Sequence, residues 1–418
     1  MKFSSFGNSF SSDAGIVRLM DDLGNALSVN ESMLMLGGGN PGQIPEVQAR
    51  FRRRMHDILD DGDRFERLIG HYDPPQGDSR FIEALAACLR RELGWPLSAR
   101  NIAVTNGSQS ASFMLFNLLA GHDDSGQARK ILLPLTPEYI GYADQGVTAS
   151  MFTANRPAIE PLADNLFKYH VDFDQLTIAE DIGAVCVSRP TNPTGNVLSD
   201  DEVENLAGLA RRHGIPLILD SAYGTPFPQI IFTDATPVWD DNVIVCMSLS
   251  KLGLPGVRTG IVIANEAIIR SLSGINAIVN LTTGGFGAAL TVDMIESGEI
   301  MTISNDVIRP FYLDKAKQAL EWIRRDFAGC DFRIHRPEGA IFLWLWFPEL
   351  PITSAALYQR LKERGVLVIP GHHFFPGLSE DWAHKHECIR VTYSQPADVV
   401  EKGIAIIADE VKRAYDGD

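Results

Sequence analysis

The sequence contains 418 residues, of which 53 are acidic and 37 are basic, so its formal net charge is −16. This acidity argues against a nucleic-acid-binding protein, which needs clustered lysine and arginine to neutralise phosphates. Apolar residues make up 45% of the chain, which excludes a mainly disordered protein, and five cysteines without a C-x-x-C pair exclude a disulfide scaffold.

No segment is as long and as apolar as a membrane-spanning helix. The N-terminal segment MKFSSFGNSFSSDAG is polar and lacks the apolar core of a signal peptide. We therefore expect a protein of the cytoplasm that contacts no membrane.

Between residues 101 and 264, short apolar runs alternate with amphipathic segments. The strand-like runs are NIAVT, KILLP, GAVCVS, IPLILD, NVIVCMS and RTGIVIA. A helix is predicted in SQSASFMLFNLLAG, and another at Ser199, where Glu202 stands at the spacing of a capping box. Continuous apolar strands that alternate with helices are typical of a parallel sheet covered on both faces.

After about residue 300 the pattern changes. A long helix is predicted over 302–327, followed by the strand-like runs FRIHRP, AIFLWLWF, VLVIP and ECIRVTY and by helices near 354–364 and 397–415. We predict a large α/β domain over 46–300. A smaller α+β domain would combine residues 1–45 with 301–418.

Two patterns are weak signals for ligands. The letters GGGNPG at 37–42 match the dinucleotide motif G-x-G-x-x-G, but the letters QIP follow where that motif needs a helix. We interpret this segment as a loop near a ligand. The histidines and the cysteine between residues 372 and 388 lack the spacing of a metal site, so no metal is predicted.

The most specific motif is SLSKLGLPGVRTG, residues 248–260. It sets Lys251 on a Gly/Pro loop between Ser248 and Ser250, with Arg258 nearby. An amine forms Schiff bases with carbonyl compounds, including pyridoxal 5′-phosphate (PLP). Hydroxyl groups and an arginine fork suit a phosphate. The motif therefore predicts a reactive lysine beside an anion site.

Three other loops also follow strand-like runs. Asp220 closes IPLILD and precedes Tyr223, RPTNPTGN contains Asn192, and NGSQ at 106–109 leads into a helix. An aspartate at the carboxyl end of a parallel strand lies where ligands bind, and it could keep a pyridine nitrogen protonated. The amides at a helix start suit a phosphate. Each loop alone is also compatible with a helix cap or a plain turn, but together they predict one site.

These motifs resemble the aspartate-aminotransferase-like, fold-type I PLP enzymes from about residue 36 to the C-terminus. The ordered set RPTNPTGN, D-x-A-Y and SLSKLGLPGVRTG carries the resemblance. Within that group, GGGNPGQIPE, TNGSQSA, PEYIGYAD, FKYHVDF, PEGAIFLWLWF and PGHHFFPGL resemble the valine–pyruvate aminotransferase family. The resemblance implies a mostly parallel, seven-stranded sheet in the large domain.

The resemblance also implies a role for each site residue. Lys251 would bind PLP as a Schiff base and move the proton, with Asp220 and Tyr223 as the other catalytic residues. Asp220 would pair with the pyridine nitrogen. Asn192 and Tyr223 would hydrogen-bond the ring oxygen, and Tyr139 would stack on the ring.

Further residues would bind the phosphate and the substrate. The phosphate ligands would be Ser248, Ser250 and Arg258, with the amides of Gly107, Ser108 and Gln109. Tyr72 would reach the phosphate of the neighbouring subunit, which implies a homodimer. Arg390, with Asn192, would bind the substrate α-carboxylate, although a lone arginine is more often part of a surface salt bridge. Gly39 would lie on a segment that covers the substrate.

The implied reaction is a ping-pong transfer of an amino group between an apolar amino acid (valine or alanine) and a 2-oxo acid (pyruvate or 3-methyl-2-oxobutanoate). We expect residues 37–44, Tyr139 and Trp344 to line the side-chain pocket. One alternative is another PLP reaction, such as C–S β-elimination. A PLP-sensing regulator is the other, but the acidic charge and the early start of the motifs argue against it.

Overall fold

The part of the chain that the structure describes contains two large β-sheets and a separate pair of short strands. The structure is a computed structural model and describes residues 33–417 and the isolated positions 2, 4, 7 and 24. The strands are β1 (Leu34–Met35), β2 (Ile102–Thr105), β3 (Gly121–His122), β4 (Ala128–Leu133), β5 (Phe152–Ala154), β6 (Ala158–Pro161), β7 (Leu166–His170), β8 (Ile182–Ser188), β9 (Leu217–Asp220), β10 (Val243–Ser248), β11 (Gly260–Ile263), β12 (Arg333–His335), β13 (Phe342–Trp346), β14 (Val366–Leu367), β15 (Ile369–Pro370) and β16 (Cys388–Thr392).

Helices cover and join these sheets. They are α1 (Pro45–Asp60), α2 (Arg64–Gly70), α3 (Ser79–Leu93), α4 (Ser108–Leu119), α5 (Asp200–Arg212), α6 (Glu266–Val279), α7 (Phe286–Glu296), α8 (Glu299–Ile303), α9 (Arg309–Asp326), α10 (Ser354–Glu363) and α11 (Ala397–Asp416). Among the described residues, no helix is both long and apolar enough to cross a membrane.

The first sheet has eight strands in the order β2-β11-β10-β9-β8-β4-β3, with β5 also paired to β4. Its centre, from β10 through β8 to β4, is parallel, and β11 runs antiparallel to both neighbours. The fold class is confirmed, and the sheet contains one strand more than the seven that the resemblance implies. The additional strand is β3, which is only two residues long and pairs with the start of β4, so no hydrophobic pattern announces it.

The second sheet has six strands in the order β15-β16-β13-β12-β7-β6. Strands β6 and β7 come from within the range predicted for the large domain, and β7 pairs with β12 near the end of the chain. Near the start of the described residues, β1 pairs in parallel with β14, outside both large sheets. The boundaries of the two domains stay a prediction.

The predicted helices form, with local differences. Ser199 and Glu202 cap α5 reciprocally, as the spacing predicts. The long helix predicted over 302–327 is interrupted by a π-helical turn at Ser304–Ile308, directly before α9. Pro310 lies in the first turn of α9 and has no N–H to donate, so the regular ladder cannot continue unchanged.

Candidate active site

The carboxyl ends of the parallel strands meet at one edge of the first sheet. Ser188 ends β8, Asp220 ends β9, and the register pairs these two residues directly. Ser248 ends β10, the next strand. These strands are apolar and almost entirely buried, so their last polar residues mark the point where the chain leaves the core. This edge is where open α/β sheets bind ligands.

A cavity of about 360 Å³ opens at this edge, within the size range of small-molecule sites. We call it the central cavity. It is lined by Gly37, Gly39, Asn40, Ser108, Gln109, Tyr139, Ile140, Ser188, Pro190, Asn192, Asp220, Ala222, Tyr223, Ser248, Ser250, Lys251, Pro255, Arg258 and Arg390.

Lys251 brings an amine to the central cavity. Its Nζ donates to the carbonyl oxygen of Gly39 and lies 5.1 Å from the ring centroid of Tyr223. Burial, together with the positive charges of Arg390 and Arg258, lowers the pKa of Lys251 from 10.5 to about 7. A large fraction of this amine is therefore neutral and nucleophilic at neutral pH.

Asp220 brings a carboxylate to the same cavity. Its Oδ2 accepts a hydrogen bond of 2.6 Å from the hydroxyl of Tyr142, and its Oδ1 accepts one of 3.0 Å from the amide of Ala222. Burial raises the pKa of Asp220, and these two hydrogen bonds act in the opposite direction. A carboxylate held in this way can pair with a protonated ring nitrogen.

Anion-binding groups gather where α4 begins. Gly107 precedes this helix with a φ of 89°, and a Cβ at this position would overlap the guanidinium of Arg258. Only glycine therefore lets the arginine approach the helix start so closely. Arg258 itself has a φ of 49°, a left-handed conformation that non-glycine residues seldom adopt, and its Nη1 lies 3.4 Å from the hydroxyl of Ser250. Helix amides, hydroxyls and a guanidinium are groups that bind phosphates in proteins, and the binding of a phosphate by these residues stays a prediction.

Arg390 reaches the cavity from the second sheet. It lies on β16, where it pairs with Trp344 of β13. Its Nη1 donates to Asn192 Oδ1 and its Nη2 donates to the carbonyl oxygen of Gly37, both at 2.7 Å. Burial lowers the pKa of Arg390 to about 10, so the guanidinium remains charged at neutral pH. Its buried Nε has no hydrogen-bond partner, and the ring of Phe342 lies 4.0 Å from the guanidinium carbon.

Most of the residues predicted from the sequence are brought together. Those that line the central cavity are Gly39, Ser108, Gln109, Tyr139, Asn192, Asp220, Tyr223, Ser248, Ser250, Lys251, Arg258 and Arg390. Gly107 lies directly behind Arg258. Tyr72 is not on the lining, and its side chain is 80% exposed. The roles of these residues toward a ligand stay predictions.

The expectation that Trp344 lines the side-chain pocket is wrong. Trp344 is completely buried, and its indole N–H donates to the hydroxyl of Tyr169 inside the second sheet. Arg390, its partner in the register, lies on the same face of the sheet and lines the cavity, whereas the Trp344 ring packs against Phe374 and Phe375. The sequence AIFLWLWF is apolar at every position, so its pattern gave no indication of which side chain would reach the cavity.

Sequence reasoning missed a buried polar group behind Asp220, formed by Glu138, Tyr142 and Ser188. Ser188 donates from its amide to Glu138 Oε1 at 2.7 Å, and its Oγ lies 2.5 Å from Glu138 Oε2. The Tyr142 hydroxyl lies 3.3 Å from the same Oγ. The only signal in the sequence was the glutamate itself, set in the apolar context LPLTPEYIGY.

Comparison with known proteins agrees with this geometry. The family profile for aminotransferase class I and II matches residues 34–407. The valine–pyruvate aminotransferase of Escherichia coli (strain K12) is 51% identical over 99% of each chain. The crystal structure of a putative amino-acid aminotransferase from Psychrobacter arcticum 273-4 superposes with a TM-score of 0.97 at 45% identity, covering 100% of both chains. The valine-pyruvate aminotransferase of Salmonella typhimurium LT2 superposes with a TM-score of 0.89 at 49% identity, covering 96% of this chain and 100% of its own. The chain belongs to the class I and II aminotransferase family.

Proposed function

We propose that this protein is a PLP-dependent aminotransferase that moves the amino group of an apolar amino acid, valine or alanine, to a 2-oxo acid, pyruvate or 3-methyl-2-oxobutanoate. Aminotransferases of this family are PLP-dependent, and their substrates are amino acids and 2-oxo acids. The observation that carries the proposal is the convergence of Lys251, Asp220 and Arg390 on one cavity.

The residues of the central cavity fit PLP. Lys251 supplies an amine for the aldehyde, and Asp220 supplies a carboxylate for the ring nitrogen. Gly107 leaves space for Arg258 at the start of α4, where the phosphate would bind. When bound, PLP supplies an electron sink that stabilises negative charge at the α-carbon of an amino acid.

The chain's own residues would then control binding and proton movement. The neutral amine of Lys251 is suited to accept the proton from the α-carbon, because its pKa of about 7 matches the pH of the cell. Arg390 would bind and orient the α-carboxylate through its planar fork. Asn192 holds one arm of that fork at 2.7 Å and so fixes its plane.

The lining supports an apolar substrate side chain. Ile140, Pro190 and Ala222 face the cavity together with the rings of Tyr139 and Tyr223. The basic residues among the described lining are Lys251, Arg258 and Arg390, and each already has a role. No further arginine of this lining is available for the distal carboxylate of aspartate or glutamate. The relatives named above as valine–pyruvate aminotransferases support valine as donor and pyruvate as acceptor.

The test is a panel of amino acids incubated with the PLP-loaded protein and pyruvate, with each 2-oxo acid product identified by mass. We expect valine, alanine and 2-aminobutyrate to overlap, because one methylene in an apolar pocket changes the barrier by only about 1–3 kcal/mol. Alanine is assayed with 3-methyl-2-oxobutanoate as acceptor, because its reaction with pyruvate gives the same two compounds back. Without an acceptor, amino transfer stops after at most one equivalent of 2-oxo acid per active site, so product in large excess over the protein under these conditions would instead support elimination. A clear preference for aspartate or glutamate would contradict the proposed pocket.

We further propose that the protein acts as a homodimer. Large apolar and aromatic side chains are left uncovered in two segments, since Ile278 is 87%, Leu281 57% and Tyr72 80% exposed. The loop before α3 is tied to α6 by a hydrogen bond of 3.1 Å from Asn276 to the carbonyl of Pro75, so these segments form one surface. A second copy would cover this surface, and Tyr72 of each subunit would contact the phosphate of the PLP bound by the other subunit.

Hybrid dimers test this arrangement. Lys251→Ala and Tyr72→Ala chains are each expected to have little activity at limiting PLP. A mixed dimer would contain one site with an intact Lys251 and the partner's intact tyrosine, so activity should return on mixing. A monomeric mass in light scattering, or no recovery on mixing, would contradict the proposal.

A further inference from the structure

Behind Asp220, a second carboxyl group is buried without a positive partner. Glu138 is completely buried. Among the ion pairs of the described residues, none includes it. By comparison, the buried Glu338 is paired with both Lys168 and Arg336. An unpaired buried carboxylate is costly, and the usual solution is that the group takes up a proton.

The position of Glu138 is fixed on several sides. Its amide donates to the carbonyl oxygen of Phe374 at 2.8 Å, which ties the segment to the 3-10 turn Gly371–Phe374. Its Oε1 accepts from the amide of Ser188. Its Oε2 lies 2.5 Å from the Ser188 hydroxyl and also accepts a longer bond of 3.2 Å from the amide of Tyr139. Burial raises the pKa of Glu138 from 4.5 to about 8, even though hydrogen bonds from Ser188 oppose this shift.

A continuous path of polar atoms leads from this carboxyl group to the cavity. From Glu138 Oε2 it passes to the hydroxyl of Ser188, then over 3.3 Å to the hydroxyl of Tyr142. From Tyr142 it passes over 2.6 Å to Asp220 Oδ2. Each hydroxyl has one proton to donate, so the direction of donation at one end of the path fixes the direction at the other.

We propose that Glu138 is a positioning residue that stays protonated and, through Ser188 and Tyr142, directs hydrogen bonds toward the carboxylate at the cavity. With its proton on Oε2, Glu138 donates to Ser188, Ser188 donates to Tyr142, and Tyr142 donates to the carboxylate. The negative charge shared by the two carboxyl groups then resides on Asp220. An ionised Glu138 would reverse the first donation and place two negative charges in one buried group.

This inference rests on the proposed function, because the benefit of the charge on Asp220 is that it keeps the PLP ring nitrogen protonated. The inference goes further in assigning the control of that charge to a residue that touches neither PLP nor substrate. A buried carboxylic acid would thus act on the reaction through three hydrogen bonds.

Three variants separate a protonated Glu138 from an ionised one. Glu138→Gln keeps the shape and offers an N–H in place of the acid proton, so it should retain activity within a few-fold. Glu138→Leu leaves the Ser188 amide and hydroxyl unpaired, and Tyr142→Phe interrupts the path before Asp220. Both should lower kcat by about tenfold to a hundredfold, the usual range for residues that hydrogen-bond a group in direct contact with a ligand. The matched control is Glu202→Gln, since Glu202 is also buried and accepts hydrogen bonds from the amides of Val171 and Ser199, away from the cavity.

Two further measurements do not depend on turnover. Infrared spectra of the PLP-free protein at neutral pH, with ¹³C-labelled glutamate, should contain a protonated carboxylic acid band that disappears in Glu138→Gln and persists in Glu202→Gln. With PLP labelled with ¹⁵N at the pyridine nitrogen, the chemical shift should indicate a protonated ring in the wild type and in Glu138→Gln. It should move toward the unprotonated value in Glu138→Leu and Tyr142→Phe.

The outcomes are distinct. Absence of the acid band, or an equal loss of activity in Glu138→Gln and Glu138→Leu, would overturn the inference, since both indicate that Glu138 acts as an anion. If the wild type neither binds PLP nor transfers an amino group, the proposed function fails. In that case the infrared band still shows whether Glu138 is protonated. Besides the control, this measurement needs only the conservative variant Glu138→Gln.

Discussion

Replacing Arg390 by lysine tests the substrate site most directly. The guanidinium uses Nη1 for Asn192 and Nη2 for the carbonyl of Gly37, and its Nε is buried without a partner. A carboxylate that enters the cavity can therefore bind to a fork whose plane is already fixed. Lysine keeps the positive charge, but its single ammonium group cannot reproduce two parallel hydrogen bonds.

The size of the effect follows from the loss of one charge-assisted hydrogen bond. Such a bond contributes about 1.5–3 kcal/mol. Because each ~1.4 kcal/mol is a factor of ten, kcat/KM should fall by about tenfold to slightly more than a hundredfold. The α-carboxylate is common to every donor, so valine, alanine and 2-aminobutyrate should lose the same factor. The cofactor should stay bound, because the proposed PLP contacts are made by other residues.

The assay compares kcat/KM of wild type and Arg390→Lys for the three donors, with PLP content followed by absorbance. Arg364→Lys is the control, because Arg364 forms ion pairs with Asp409 and Glu410 and does not line the cavity. Unequal losses among the three donors would show that Arg390 contacts the side chain rather than the carboxylate. Unchanged kinetics for all three would refute the assignment.

Three other predictions concern Lys251 and Asp220. Lys251→Ala should bind PLP weakly and lose turnover, and borohydride reduction of the wild type followed by peptide mapping should place the pyridoxyl group on Lys251 rather than on another lysine. Asp220→Asn keeps the shape but loses the charge. The activation barrier should rise by several kcal/mol, so kcat should fall more than a hundredfold. Near-normal turnover with PLP bound would count against the pairing of Asp220 with the ring nitrogen. Because the pKa of Lys251 is lowered to about 7, the neutral amine becomes the major form as the pH rises through 7. The rate at which PLP attaches to the PLP-free protein should therefore increase with pH up to about pH 7 and be constant at higher pH. A lysine with an ordinary pKa would give a rate that continues to increase above pH 7.

Six of the eight strands of the first sheet, all but β3 and β5, and the site at their ends could be predicted because the relevant signals are local. Each apolar run is continuous, and Ser188, Asp220 and Ser248 are the last residues of their strands. A reader of the sequence needs only the rule that parallel strands end at a common edge. Arg390 is different, because nothing near it in the sequence indicates that β16 lies beside the first sheet's cavity, and its role came from the family resemblance.

Strands β6 and β7 were not predicted because their pattern is hidden by polar residues. Lys168 is buried in the middle of β7, where a sequence pattern would expect an apolar residue or an exposed lysine. It is neutralised by Glu338, which lies 170 positions later in the chain, and it also donates to Asn196 at 3.0 Å. A buried charge with a distant partner cannot be recognised before the fold is known.

The same reasoning explains why the group behind Asp220 was missed while the residues facing the cavity were found. Residues that face a ligand follow strands directly, so their spacing in the sequence is informative. Glu138, Ser188 and Tyr142 interact across two segments and have meaning only through the distances between them. In the sequence Glu138 is one of 53 acidic residues in the chain. In the fold it is completely buried and has no ion pair among the described residues, and burial raises its pKa. A buried, unpaired carboxyl group beside a cavity is a candidate for a functional role, which only the fold reveals.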